Sequence, residues 1–331
     1  MKTVISTDRV AAVELLRKGD LVALPTETVY GLAAKALNPI AVAKIFEAKE
    51  RPRFDPLIVH LPNRDWLGRI VDVPAGDRQL IGKLADKFWP GPLTIVLPKR
   101  EIVPDIATAG LETVAVRLSA HPVFAEIVGE LDEPLAAPSA NRFGRVSPTT
   151  AQDVLDELDG RIPLIVDAGP TEHGIESTIV AVRDGKIAVL RRGPITDEQL
   201  SEFADIISVT GTQKISAPGQ LPSHYAPTTP LRLIDKAEAF PSQKNQRVGL
   251  LAWSGAFPGP PLPQLETRCC EAFAAVRNLS DRGDLREAAA NLFRYLRELD
   301  ALGLDLIVAE RVPSRGLGAA IMDRLERASH R

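Results

Sequence analysis

The sequence predicts an α/β protein whose main domain has a mixed β-sheet and whose C-terminal part forms a second, smaller α/β domain. Short apolar runs alternate with segments of helical periodicity through roughly the first 200 residues, as in α/β folds. Some strands follow one another without a helix between them, so the sheet should be mixed. At 331 residues the chain is long enough for two domains.

The first predicted helix runs from Asp8 to Lys18, with Thr7 as its expected N-cap and Gly19 as its stop. Each further helix of the first domain is predicted from apolar residues at helical spacing. These helices are Ile40–Lys49, Arg78–Phe88, Pro122–Glu130, Thr150–Leu158 and Asp197–Phe203.

The predicted strands are short apolar runs bounded by turn residues. They are Leu21–Pro25, Pro56–Leu61, Leu93–Leu97, Thr113–Leu118, Leu135–Ala137 and Leu164–Val166. A β-hairpin is predicted over Ser177–Leu190, because Asp184-Gly185 lies between two apolar runs.

The predicted domain boundaries are 1–207, a linker at 208–230 and 231–331. The linker is rich in Gly, Pro, Ser and Thr and has no sustained apolar period. Gly316-Leu-Gly318 lacks the third glycine of a dinucleotide fingerprint and predicts a helix start. The predicted elements of the second domain are strands Leu231–Ile234, Arg247–Trp253 and Leu304–Ala309, a helix over Leu285–Leu299 and another after Gly318.

Composition and missing motifs exclude several classes of function. A net charge of −3 and 5% aromatic residues argue against a dedicated nucleic-acid-binding surface. Cys269 and Cys270 are too few for a metal cage, and the five histidines show no metal-ligand spacing. No P-loop sequence occurs, so any ATP must be bound by other means. The absence of an apolar leader or spanning run predicts a cytoplasmic protein that does not enter a membrane.

Two polar stretches could form part of a ligand-binding site. Pro25–Gly31 gathers hydroxyl groups just past a buried strand, where α/β sheets tend to bind ligands, although a polar turn would look the same. Lys49–Asp55 has three cations within five residues, which could clamp a polyphosphate. Cations that complement the dipole of a preceding helix would give the same pattern.

Three other polar features are candidates for the same ligand. Ala137–Ser147 offers short hydroxyl and amide groups after a strand, which could bind a phosphate, a ribose or a carboxylate or could simply cap the next helix. Gly174–Thr178 opens the predicted hairpin and Arg191–Gly193 closes it. Arg117 ends an apolar strand and is either an anion ligand or a charge that leaves the sheet for solvent.

In their order and spacing these stretches resemble the YrdC-type family of threonylcarbamoyl-AMP synthases. Motifs past the linker are similar to the long, two-domain branch, so the resemblance covers essentially the whole chain. The matching motifs are PTETVYGL at Pro25–Leu32, KERP at Lys49–Pro52, PLIVH at Pro56–His60, VAVRL at Val114–Leu118, PSAN at Pro138–Asn141, SPT at Ser147–Thr149, ESTIV at Glu176–Val180, LRRG at Leu190–Gly193, HYAP at His224–Pro227, LRELD at Leu296–Asp300 and GLGAAIMDRL at Gly316–Leu325.

The resemblance implies a YrdC-like twisted mixed sheet with helices around a concave cationic cavity, followed by a Rossmann-like C-terminal domain. It implies condensation of L-threonine, bicarbonate or carbon dioxide, and ATP to threonylcarbamoyl-AMP and pyrophosphate. A downstream tRNA threonylcarbamoyl transferase would use the product on the adenosine next to the anticodon of tRNAs that read ANN codons. Weak binding of tRNA or other RNA is compatible with this role. Mg²⁺ is expected with the ATP, without a tightly bound cofactor.

The resemblance also assigns individual residues. Lys49 and Arg51 would stabilise charge on the phosphates during attack, and Tyr225 in a lid-like linker would reach toward the nucleotide. The positions matching the threonine site are Thr28, His60, Arg117, Ala137 and Ser177. The positions matching the ATP site are Lys49, Arg51, Asp55, Thr113, Ser139, Asn141, Ser147, Arg191 and Tyr225.

Two positions depart from the family pattern, which usually has glycine at Glu50 and asparagine at Asp55. A carboxylate beside a triphosphate would weaken binding unless it points away or meets Mg²⁺, which puts a direct contact between Asp55 and ATP in doubt. Two other functions remain open from the sequence: a non-catalytic protein that binds double-stranded RNA or tRNA, and a carbamoyl-transfer enzyme of the hydrogenase-maturation kind. The latter enzymes carry zinc-finger cysteines, which this chain lacks.

Overall fold

The computed structural model divides the chain into two units. One consists of Met1–Phe143 with Ser147–Leu221, and the other of Gly144–Val146 with Pro222–Arg331. Part of the predicted linker and both cysteines lie outside the residues that the structure describes. The described residues are 2–207, 217, 219, 224–241, 246–254 and 273–330. Among them, no helix has both the length and the apolar character needed to cross a membrane.

The first unit is built on a mixed sheet. Its strands are β1 (Val4–Ser6), β2 (Val22–Leu24), β3 (Gly31–Lys35), β4 (Ile58–His60), β5 (Leu93–Pro98), β6 (Thr113–Arg117), β7 (Leu135–Ala136), β8 (Leu164–Val166), β9 (Thr178–Arg183), β10 (Lys186–Arg191) and β11 (Ile206–Ile207). Across the sheet their order is β1-β8-β2-β3-β7-β4-β6-β5-β9-β10-β11. Because β4 and β6 are parallel whereas β5 and β6 are antiparallel, the prediction of a mixed sheet is confirmed.

The helices of this unit begin at residues that cap them. The predicted cap of the first helix, Thr7, is wrong: Asp8 directly precedes the helix, and its Oδ1 accepts from Ala11 N at 2.9 Å. The second helix starts with Pro39 behind an Asn38 cap. The helices are α1 (Arg9–Arg17), α2 (Pro39–Lys49), α3 (Leu67–Ile70), α4 (Arg78–Phe88), α5 (Asp105–Thr108), α6 (Pro122–Leu131), α7 (Ala151–Leu158) and α8 (Asp197–Ser201).

The predicted hairpin is confirmed as β9 and β10. Asp184 and Gly185 both have positive φ, 52° and 71°, which is the backbone of a type I′ turn. The pattern also predicted β8 and α4 with the bounds that the structure has. Elements that the sequence analysis did not predict in this unit are β1, β3, β11, α3 and α5.

The second unit has the predicted α/β architecture. Its parallel sheet has the order β12-β15-β13-β14, formed by β12 (Leu231–Ile234), β13 (Val248–Ala252), β14 (Ala275–Asn278) and β15 (Leu306–Glu310). Its helices are α9 (Leu285–Asp300) and α10 (Leu317–Ser329). Gly316 precedes α10 with φ 53°, so the prediction of a helix start is confirmed. Gly318 packs so tightly that a Cβ would lie 1.8 Å from Pro313 O.

Candidate active site

One face of the first unit's sheet has an apolar floor with polar residues at its end. Ile58, Val96, Ala115 and Ile179 belong to one buried cluster, in which Ala217 of the predicted linker also packs. Side chains two residues apart share a strand face, so the register extends this face from Ala115 to Arg117 and from Ile58 to His60. Thr94 lies opposite Arg117 on β5. The polar residues at the strand ends therefore lie side by side.

Arg117 is a buried cation that is held by three neighbours. Its Nη1 donates to Thr28 Oγ1 at 3.0 Å and its Nε donates to Gly91 O at 3.2 Å. Its Nη2 lies 2.7 Å from Glu27 Oε1 in an ion pair of which both side chains are nearly inaccessible. Ser119 Oγ donates to the other Glu27 oxygen at 2.5 Å. The strand-end arginine thus faces a carboxylate inside the protein and does not leave the sheet for solvent.

Glu27 and His60 have displaced pKa values. Burial alone would raise the pKa of Glu27, but Arg117 and the Ser119 hydroxyl outweigh it and lower this pKa to about 2. Burial, assisted by the charge of Arg117, lowers the pKa of His60 to about 3. His60 is therefore neutral at physiological pH, and its buried Nδ1 has no hydrogen-bond partner among the described residues.

Acid is expected to destabilise the folded protein through these two groups. Between about pH 6.5 and 3 the unfolded chain protonates His60 while the folded chain does not, and Glu27 behaves likewise between about pH 4.5 and 2. The free energy of unfolding should therefore fall as the pH falls, by up to about 1.4 kcal/mol per pH unit for each group. Urea unfolding at several pH values would measure this slope. In His60→Asn the loss should be smaller, and an unchanged loss would contradict the assignment.

Lys49 ties helix α2 to the loop after β7. Its Nζ donates to Ser139 O at 2.5 Å and also to Asn141 O, and its side chain is almost completely buried. Burial lowers the pKa of Lys49 well below its usual value, and Arg51 lowers it further. An anion that neutralised this environment would therefore favour the charged ammonium group.

Arg51 and Asp55 form a second buried ion pair, with Nη2 and Oδ2 separated by 2.8 Å. The Arg51 Nη2 also donates to Pro56 O at 2.9 Å. Burial raises the pKa of Asp55, while the charges of Arg51, Lys49 and Arg191 act in the opposite direction. Asp55 therefore lies among three cations, and its nearest partner is Arg51.

Glu50 points away from this cluster. It ends α2 in the left-handed conformation, with φ 54°, which explains why glycine suits this position. Its carboxylate contacts Arg161 at 2.8 Å and Arg142 at 4.0 Å, and more than half of the side chain is exposed. The departure from the family pattern at Glu50 therefore places no carboxylate beside Lys49.

Ser177 and Arg191 interact with residues near both the Arg117 cluster (Arg117, Glu27 and Thr28) and the Lys49 cluster (Lys49, Arg51 and Asp55). Arg191 Nη2 donates to Ser177 Oγ at 3.0 Å, and its Nε donates to Ser177 O at 3.0 Å. Ser177 Oγ is also 2.8 Å from Thr94 Oγ1. The charge of Arg191 also acts on the pKa of Asp55, and Thr94 lies opposite Arg117 on the neighbouring strand.

Gly193 fixes the backbone around Ser177. A Cβ at this position would lie 2.5 Å from both Glu176 O and Thr178 N. Gly193→Ala is therefore expected to displace Ser177, to lower stability by about 1–3 kcal/mol and to reduce activity. Unfolding curves and steady-state rates would measure both effects. Gly82→Ala is the matched control, since a Cβ at Gly82 meets no atom within 4 Å. A fully active Gly193→Ala would contradict the packing argument.

The remaining predicted residues are placed differently. Thr113 begins β6, about 13 Å along the strand from Arg117. Ala137 donates its backbone N–H to Ile58 O at 3.0 Å. Ser147 Oγ donates to Glu176 Oε1 at 2.5 Å. Tyr225 belongs to the second unit, where it is buried with φ 63°, stacks on Phe293 and lies under Arg324.

The structure adds three residues to this site that were not predicted from the sequence: Glu27, Thr94 and Ser119. Glu27 lies inside the PTETVYGL stretch, and a buried arginine needs a partner, so a carboxylate there could have been proposed. Thr94 and Ser119 carry no signal that distinguishes them from ordinary strand and loop residues. No group of three His, Cys, Asp or Glu in the described part of the chain could hold a metal ion.

Comparisons with known proteins agree with this fold. The family model Sua5_yciO_yrdC, described as Telomere recombination, matches residues 14–193, and the model described as Threonylcarbamoyl-AMP synthase, C-terminal domain, matches residues 195–330. A protein from Pyrococcus abyssi named threonylcarbamoyl-AMP synthase is 37% identical over 97% of this chain and 93% of the relative. One of the same name from Bacillus subtilis is 40% identical over 96% of this chain and 92% of the relative.

A solved structure, P. abyssi Sua5 complexed with L-threonine, superposes with a TM-score of 0.84 at 35% identity, covering 99% of this chain and 97% of the other. The two family models together cover residues 14–193 and 195–330, and each of the two relatives aligns over nearly the whole chain. The chain belongs to the Sua5/YciO/YrdC family, in the two-domain form that carries the C-terminal domain of threonylcarbamoyl-AMP synthases.

Proposed function

We propose that this protein is a nucleotidyltransferase that condenses L-threonine, bicarbonate or carbon dioxide, and ATP to threonylcarbamoyl-AMP. The observation that carries the proposal is one buried polar region, in which Arg191 acts through its charge on Asp55 and donates to Ser177, Ser177 is hydrogen-bonded to Thr94, and Thr94 lies opposite Arg117 on the neighbouring strand. It provides cations for a triphosphate at one end and for an amino-acid carboxylate at the other. Relatives of the same two-domain form are named for this activity, which does not favour the RNA-binding alternative.

Arg117 and its neighbours would bind threonine. The carboxylate would dock at Arg117 and Thr28, and the neutral imidazole of His60 has a buried nitrogen available for a further hydrogen bond. Glu27 keeps Arg117 oriented, and its negative charge would attract the substrate's ammonium group before the amine loses a proton. A site that bonds the substrate hydroxyl should discriminate against valine.

Lys49, Arg51 and Arg191 would hold the phosphates. The free threonine amine adds to carbon dioxide and releases a proton to water, which gives a carbamate. One carbamate oxygen then attacks the α-phosphorus while pyrophosphate leaves. The cations offset charge that develops on the phosphate oxygens. Mg²⁺ would enter as part of the ATP substrate complex, and Asp55 would act mainly through its pair with Arg51.

We also propose a division of labour along the chain: a catalytic domain at 1–207, a lid at 208–230 and a supporting domain at 231–331. Burial of Ala217 on the apolar floor supports a covering role for the lid. Excluding water would protect the labile carbamate and the adenylate. A tRNA threonylcarbamoyl transferase in the cytoplasm would then consume the product.

Mass spectrometry of a mixture of the protein, ATP, L-threonine and bicarbonate tests the proposed function. The expected product is an adenylate whose mass includes threonine and one carbonyl group, formed together with pyrophosphate. Omitting threonine or replacing it with L-valine should abolish the signal. If ATP were hydrolysed at the same rate with and without threonine and no such adenylate formed, the proposed activity would be ruled out.

A further inference from the structure

Thr94 is a fully buried hydroxyl residue at the centre of the proposed site. On β5 it lies opposite Arg117 of one neighbouring strand and Ile179 of the other. It therefore separates the proposed carboxylate anchor from Ser177, which immediately precedes β9. The described residues offer Thr94 Oγ1 one hydrogen-bond partner, Ser177 Oγ at 2.8 Å.

The direction of the hydrogen bonds at Ser177 Oγ follows from a count of the available donor protons and acceptor lone pairs. A serine hydroxyl has one donor proton and two acceptor lone pairs. Arg191 Nη2 donates to Ser177 Oγ at 3.0 Å and occupies one lone pair. If Thr94 donates as well, both lone pairs are occupied and the Ser177 proton is directed to a third partner. If Ser177 donates to Thr94 instead, the buried Thr94 proton has no acceptor among the described residues.

We propose that Thr94 is a positioning residue that donates to Ser177 Oγ and thereby commits the Ser177 proton to an oxygen of the bound amino acid. This inference rests on the proposed function. It adds that Ser177 acts as a hydrogen-bond donor, and not as an acceptor, toward the bound amino acid. Ser177 then acts as a donor toward a carboxylate, carbamate or hydroxyl oxygen and rejects an ammonium group. With both lone pairs engaged, Ser177 cannot accept a hydrogen bond from the substrate.

A double-mutant cycle between Thr94 and Ser177 tests the inference. Thr94→Val keeps the side-chain volume and removes the donor, whereas Thr94→Ser keeps the donor. Steady-state synthesis of threonylcarbamoyl-AMP would be measured for Thr94→Val, Thr94→Ser, Ser177→Ala and the double variant Thr94→Val/Ser177→Ala, with threonine and ATP varied separately. Thr3→Val is the control for loss of a buried threonine hydroxyl, since Thr3 donates to Ile162 O at the sheet edge.

Thr94→Val should lower kcat/KM for L-threonine by about 3- to 10-fold, the effect of one hydrogen bond, while KM for ATP changes by less than about twofold. Thr94→Ser should restore the wild-type value. In the Ser177→Ala background, Thr94→Val should have no further effect, because Thr94 acts only through Ser177.

Additive losses in the cycle, an equal loss in Thr94→Ser, or unchanged threonine kinetics in Thr94→Val would overturn the inference. If Thr94→Val does not fold, Thr94→Ala is compared with Thr94→Ser in the same way. An inactive wild type would instead refute the proposed function, so the two failures are distinguishable.

Discussion

Lys49→Met is expected to lower kcat for adenylate formation by about 10²- to 10³-fold, the usual loss when one preorganised donor to a developing oxyanion is removed. Lys49 Nζ donates to Ser139 O and Asn141 O, which fixes the position of its amine for the proposed interaction with the phosphates. The same substitution leaves two carbonyl groups without their donor and should raise KM for ATP as well. Single-turnover rates at saturating ATP would separate the two effects.

Lys44→Met provides the matched control on the same helix. Lys44 Nζ contacts Asp20 at 2.7 Å and Gly19 O at 2.8 Å, and this half-buried pair shares no residue with the Lys49 cluster. Lys44→Met should retain full kcat. If Lys49→Met kept more than about one tenth of the wild-type kcat, the role of Lys49 in charge stabilisation would be wrong.

Glu27→Gln is expected to destabilise the folded protein by about 3–5 kcal/mol, because it leaves the charge of Arg117 buried without its carboxylate. The same variant should raise KM for L-threonine, since Arg117 would no longer be held in position. Chemical denaturation measures the first effect and steady-state kinetics the second. In comparison, Glu126→Gln removes an exposed partner of Arg9 and should cost less than about 1 kcal/mol.

The double variant Glu27→Gln/Arg117→Met separates stability from function. Removing both charges of a buried pair usually restores much of the stability that removing one partner destroys. The double variant should therefore unfold at a higher denaturant concentration than Glu27→Gln, yet bind threonine no better. If stability failed to recover, the ion pair would not explain the destabilisation. If threonine use recovered, Arg117 would not be the carboxylate ligand.

Local patterns in the sequence predicted several elements whose conformation follows mainly from their own residues. The amphipathic α4 and the apolar β8 have the predicted bounds, and the Asp184-Gly185 turn forms as expected. Strand β3 was missed because Gly31–Lys35 is rich in Ala and Gly, which have low strand propensity. Its pairing with β2 and β7 determines its conformation, and such pairing is not visible in a single segment.

Motifs predicted the residue types of the site better than its contacts. The cations of the Lys49 cluster and the strand-end Arg117 could be named from the sequence. A carboxylate partner for Arg117 could have been proposed from the sequence, but the contact with Glu27 depends on how the loop after β2 meets the end of β6. The orientation of Glu50 depends on a left-handed backbone at the end of α2. The sequence does not reveal this conformation, because residue 50 is not a glycine. Sheet register and loop conformation therefore complete what the motifs leave open.

A crystal structure with L-threonine and a non-hydrolysable ATP analogue bound would test most directly whether one site holds both substrates. We predict the threonine carboxylate within hydrogen-bond distance of Arg117 and the phosphates against Lys49 and Arg51, with the amine facing the α-phosphorus. Binding of the two ligands to separate surfaces, or of phosphates away from both cations, would contradict the proposed site.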